Sequence, residues 1–161
     1  MANYTGANVI VAGDVTKYQP DAFDFGISTT ATETTNFLAQ TTNDILRNLR
    51  IEWWPVYKQN IFTDITVLNT AEMVNTKVNL DQFERAGVYL FLGRFYLPAL
   101  TKFRPETEKD RFERMQEYYM SQYNIEWRMI LEDGVEYDTD ADGSIVTNER
   151  EPLHGFRRLT R

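Results

Sequence analysis

Cysteine is absent and histidine occurs once, at His154. The first absence excludes a disulfide framework, a thiol nucleophile and thiolate metal sites, and it leaves the redox compartment open. His154 has no cysteine or fixed serine to activate, so it reads as a solvated or interface side chain. No apolar run approaches the ~18 residues a membrane helix requires, because charges interrupt every one. Residues 1–10 carry neither a charged leader nor a long apolar stretch, so no signal peptide is expected. Basic residues are in deficit: 17 Lys+Arg against 24 Asp+Glu give a formal charge of −7. General nucleic-acid binding needs clustered Lys/Arg, and a negative surface repels DNA. The glycine patterns that cradle phosphates, GxGxxG and GxxxxGK[ST], do not occur. With no activated nucleophile or poised base, the chain is not expected to be an enzyme.

What is present suits a globular protein. Hydrophobic residues make up 42% of 161, with ten Phe, nine Tyr and three Trp. A chain of this length buries roughly 70% of the surface its unfolded form exposes, enough for a core without metal or disulfide staples. The expected fold is one mainly α domain. It comprises a bundle of about three long helices, an extended N-terminal arm, a C-terminal β-hairpin and a C-terminal tail.

Residues 1–28 read as an irregular arm with little core, in which Asp14 caps one helical turn before Pro20. The helical core spans 29–134. Its first helix carries Phe37, Thr41, Ile45, Leu49 and Trp53 at four-residue steps, and Pro55 is expected to end it near Trp54. The stretch 61–68 alternates apolar and β-branched residues and reads as a short strand or a pinned loop. Asn79 and Gln82 resemble a capping box opening the second helix, with Phe83, Ala86, Leu90, Phe91 and Leu97 on its apolar face. Gly87 and Gly93 each cost about 1 kcal/mol there, which implies close approach of another backbone. Pro98 is expected to kink or end that helix. The third starts at Pro105, with Glu106, Glu108 and Asp110 in its opening turns, and repeats through Phe112, Met115, Tyr119, Tyr123, Trp127 and Ile130. Its charged residues, including the Asp110/Arg114 pair, read as a solvated face. Gly134 is the expected stop.

The sharpest motif follows. Asp138, Asp140 and Asp142 stand at positions one, three and five of a twelve-residue calcium loop. Gly143 takes the sharp turn, Ser144 offers its carbonyl, Ile145 is apolar and Glu149 stands at twelve for bidentate ligation. An EF-hand needs helices on both flanks, whereas Gly134 and a Val-Glu-Tyr stretch precede this loop and Pro152 follows it. The competing reading, which weighs more, is an Asp-Gly hairpin over 135–149 with solvated carboxylates, because such turns arise often without metal. No cofactor is expected apart from structural calcium at this loop.

Aromatic and basic residues mark candidate contacts. Adjacent indoles at Trp53 and Trp54 point about 100° apart on a helix, so one enters the core while the other, with Tyr57 and Tyr118, reaches a neighbouring subunit. Tyr118, Tyr119, Tyr123 and Trp127 form a stripe read as core plus interface, since stacking platforms for single strands lie in a positive groove. The tail, 150–161, turns basic and carries four arginines. Its candidate docking residues are Arg150, His154, Phe156, Arg157, Arg158, Leu159 and Arg161.

Taken together, the layout resembles the head-to-tail connector (neck adaptor, or head-completion) proteins of tailed bacteriophages. The resemblance rests on the arm with Gly13-Asp14-Val15 and Tyr18-Gln19-Pro20, the helix ending in Trp53-Trp54-Pro55, and the aromatic helix from Phe83. It continues through Tyr118-Tyr119 to the Asp-rich ending and Arg157-Arg158-Leu159-Thr160-Arg161. It implies a compact helical protein with extended arms in a dodecameric ring between portal and tail. That ring would extend the DNA channel, dock on the portal and present a platform to downstream neck or tail proteins. An acidic wall would let DNA slide without sequence-specific binding. The implied location is the virion neck after synthesis in the host cytoplasm, with no membrane. The alternatives are a calcium-binding interaction module built on the loop from Asp138 to Glu149, and a metal-dependent hydrolase using the Asp cluster.

Overall fold

The computed structural model of the chain describes residues 8–25, 28–100, 111–144 and 149–151. It is mainly helical. Among the described residues no helix is long and apolar enough to cross a membrane. These residues fall into two compact units: the described parts of Asn8–Ile45 with Phe83–Trp127 form the first, and those of Leu46–Gln82 with Arg128–Arg161 the second.

The segment expected to be an irregular arm supplies helix α1, Ala12–Tyr18, and part of the first unit's core. Val9, Ile10, Val15 and Ala22 are all buried. Asp14 lies inside the first turn, and its carboxylate accepts from the Val11 N–H at 2.9 Å, satisfying a donor the helix leaves open. Helix α2, Thr32–Asn48, shows the expected stripe: Leu38, Thr41, Ile45 and Leu46 are buried. The Thr42 hydroxyl accepts from the Val9 N–H at 2.9 Å.

Pro55 does not end the helix. Leu49–Trp53 forms a π-helical turn, and α3, Trp54–Ile61, continues through the proline. The Trp54 N–H donates to the Leu49 carbonyl, five residues back instead of four. A proline ring clashes with the carbonyl four residues before it, and a widened turn there makes room. The same device recurs in the first unit. Helix α5, Glu84–Leu90, passes into a π-helical turn at Phe91–Tyr96 and on through Pro98 into α6, Leu97–Leu100. Here the Leu97 N–H reaches the Leu92 carbonyl.

Gly93 lies in that second widened turn. A Cβ on it would stand 2.9 Å from Met120 Cγ and 3.1 Å from the Met120 backbone nitrogen. At Gly87 the close neighbours are instead side chains, Val9 Cγ1 at 2.9 Å and Ile10 Cγ2 at 3.0 Å. The backbone approach expected of both glycines holds only at Gly93.

The stretch expected as strand or loop is a short helix, α4, Ile65–Thr70, because the Asp64 carboxylate caps it by accepting from Thr66 N–H at 2.8 Å. None of its residues is buried. The capping box is half made: Asn79 Oδ1 accepts from Asp81 N–H, while Gln82 Oε1 accepts from Glu136 N–H. Residues Leu80–Phe83 are therefore a 3₁₀ turn before α5.

Helix α7, Arg111–Asp133, ends where Gly134 adopts φ 106° and its N–H bonds Ile130 O. Pro105 and the acidic residues of the expected opening turns lie outside the described residues. Strand β1, Val135–Glu136, pairs antiparallel with β2, Arg150–Glu151, in the register Val135 to Glu151 and Glu136 to Arg150. The strand that pairs with β1 falls just past the hairpin expected over 135–149; 145–148 lie outside the described residues.

Candidate metal centre

The loop that β1 and β2 enclose belongs to the second unit, and four aromatic rings support it. Trp53, Trp54, Tyr57 and Tyr137 pack with centroids 4.5–6.0 Å apart. Trp54 Nε1 donates to Ala71 O at 3.3 Å. The Tyr137 hydroxyl accepts from Val74 N–H at 3.2 Å. Burial pushes the Tyr137 phenol above its ordinary range, opposed by that backbone donor. Tyr57 reaches the loop itself, its hydroxyl 2.9 Å from Thr139 Oγ1. Trp53, Trp54 and Tyr57 are therefore interior residues, at most 7% exposed, and no outward indole requires a neighbouring subunit. Tyr118, by contrast, is 58% exposed on α7.

Backbone bonds fix the loop's start and end. Tyr137 forms an antiparallel bridge with Val78, and Asp138 N–H donates to Lys77 O at 2.8 Å. Tyr137 N–H donates to Glu149 O at 3.0 Å, bringing position twelve beside position one. Lys77 adds its ammonium to the Thr139 carbonyl.

Asp138, Asp140 and Glu149 meet here: one oxygen of each lies within 4.8 Å of the other two. Asp138 and Glu149 are buried, Asp140 exposed. Glu149 Oε1 accepts from Thr139 N–H at 2.7 Å, and Asp138 Oδ2 accepts from Gly143 N–H at 2.9 Å. Asp138 Oδ1 is buried and has no hydrogen-bond partner among the described residues. No Lys or Arg among them pairs with Asp138 or Asp140. Such a group of hard oxygens can hold a metal ion.

Asp142, expected as a ligand, is not one of the three carboxylates that meet. Asp142 Oδ1 accepts both the Ser144 N–H at 2.8 Å and the Ser144 hydroxyl at 2.7 Å. The hydroxyl and then the amide of Ser144 hold the Asp142 carboxyl below its ordinary value. Gly143 takes φ 84°, as a sharp turn requires, and Ala141 also adopts the left-handed region at φ 62°. The flanks are β1 and β2, not the paired helices of an EF-hand. Thr139 and Lys77 escaped the sequence reading, for their contacts depend on strand pairing that no local pattern announces. Of the tail residues Arg150 is described: it is exposed, with Nε 3.9 Å from a Glu136 oxygen. His154, Phe156, Arg157, Arg158, Leu159 and Arg161 lie outside the described residues. Comparison with known protein families, with curated proteins and with solved structures finds no match to this chain.

Proposed function

We propose that the chain is a structural protein that assembles with copies of itself, as a ring in the neck of a tailed bacteriophage between portal and tail, with no catalytic step. One observation carries the self-assembly: Tyr118, Ile125 and Met129 are 58%, 48% and 51% exposed on α7. Spaced seven and four residues apart, they lie within about 40° of one another around the helix. Apolar side chains scattered over a surface need no explanation, but an aligned row on one helix suits a surface that another subunit covers. Arg114 lines the groove beside Tyr118 and offers carboxylate recognition at its edge. The phage setting, the portal as docking partner, DNA in transit and the virion location come from the sequence resemblance.

Light scattering on the chain, alone and with a portal ring, tests the reading. A ring formed alone or on the portal supports it, and Tyr118→Asp should dissociate that ring. A strict monomer that ignores the portal would sink it. The second reading, a calcium-binding interaction module, is favoured by the grouping of Asp138, Asp140 and Glu149. It predicts a stable monomer that binds a partner only when calcium is present.

A further inference from the structure

We infer that Asp138, Asp140 and Glu149 form a calcium site, and that the ion acts as a staple fixing the end of the 138–149 loop to its beginning. Three observations converge. The donors are all carboxylate oxygens, which select hard cations and disfavour zinc or copper. Their mutual separation, within 4.8 Å, fits around one calcium ion, whose ligands stand about 2.3–2.6 Å from the metal. Magnesium demands near-ideal octahedral geometry at about 2.0–2.1 Å and gives up its water reluctantly, so a cage of protein carboxylates suits it less.

The third observation is independent of the clustering. Asp138 is only 4% exposed, yet its Oδ1 has no donor among the described residues. A buried carboxylate oxygen with neither hydrogen bond nor cation is costly, and a metal ion supplies what the surrounding residues do not. The other oxygen is already held by Gly143 N–H, so the carboxylate is oriented before the ion arrives.

Staple, rather than sensor, follows from where the ligands sit. Asp138 is tied through its N–H to Lys77 O, and Glu149 directly precedes β2. An ion shared between them closes a loop at the point where β1 and β2, two residues each, have few hydrogen bonds of their own. Loop closure by an ion acts on the folding equilibrium, since it binds the folded chain and not the unfolded one.

The test is isothermal titration of the full, chelator-stripped chain with calcium chloride, then magnesium chloride, at fixed ionic strength. One calcium per chain with Kd below about 1 mM, weaker magnesium binding and a calcium-dependent rise in Tm are expected. Asp138→Asn and Glu149→Gln should each weaken binding by at least about tenfold and abolish the rise in Tm. Because the buried Asp138 variant can fail to fold, Asp140→Asn, an exposed change, supplies the same test on an intact fold. No calcium heat from the wild-type chain, or wild-type affinity in the Asp140 variant, would overturn the site. The site stands apart from the assembly reading: a monomer that binds calcium would remove the ring and leave the staple.

Discussion

At Trp54-Pro55 and at Leu97-Pro98 the chain meets the same obstacle and widens its helix in the same way, yet different surroundings hold the two widened turns. In the second unit the turn at Leu49–Trp53 ends on Trp53, which is 0% exposed and packs at tilted angles among Trp54, Tyr57 and Tyr137. In the first unit the turn at Phe91–Tyr96 contains Gly93, pressed against Met120 of α7, while Phe91 and Tyr96 stack on each other at 5.5 Å. One joint is filled by a large ring and the other by the absence of a side chain. A π turn inside a helix can thus be stabilised by bulk or by close backbone approach, and the two respond differently to substitution.

The largest effect is expected at the bulky joint. Trp53→Ala removes the centre of the four-ring cluster and should cost about 3–5 kcal/mol, read as a lower midpoint in urea unfolding. A loss below about 1 kcal/mol would mean that the cluster does not hold the joint. At the close-packed joint, Gly93→Ala should cost about 1–3 kcal/mol through overpacking, partly offset by the roughly 1 kcal/mol helix preference of alanine. Relief by the additional change Met120→Ala would locate the strain in that contact.

An alkaline titration compares one tyrosine from each unit. Burial raises the phenol pKa of Tyr137, and burial followed by Tyr118 and Tyr89 raises that of Tyr119. A raised tyrosine pKa means the fold favours the neutral phenol. Its stabilisation is complete below the unfolded value near ~10 and is lost as pH rises through the folded value. Tyrosinate absorbance should therefore appear at higher pH in the folded chain than in urea, and Tyr137→Phe and Tyr119→Phe should each reduce the late-ionising fraction. The smallest effect is expected from Pro55→Ala and Pro98→Ala, each within about 1 kcal/mol and with unchanged helical circular dichroism, since the packing around each joint keeps the turn wide once the ring that required it is gone. A change at one joint alone would show that proline sets the geometry there.

These joints also mark where the sequence became hard to read. The stripes of α2 and α7 were legible because burial at three- and four-residue steps leaves a pattern, as was the stop at Gly134. A hydrogen bond made five residues back leaves no such trace, so Pro55 reads as an end and Pro98 as a kink or an end. Helix α4 was hidden because Asp64 caps a β-branched stretch that looks like strand. The site was legible in Asp138, Asp140 and Glu149, whose spacing places them together. Asp142, at position five of the same pattern, stands outside the group, its Oδ1 accepting from Ser144 two residues on. One of the two adjacent indoles reads as outward in the sequence because the wall that covers Trp54 comes from Tyr137, far along the chain.

Helix α4 has a kinetic consequence. It buries no residue, leaves Ile65 72% exposed and depends on the Asp64 cap, while the neighbouring Trp54 anchors only Ala71, just beyond its end. Such a segment opens without disturbing the core, at a free energy far below that of global unfolding. Its amides should exchange with deuterium well before those of α3, and among the described residues a protease should nick the native chain first within 62–70, leaving the four-ring cluster closed behind the cut.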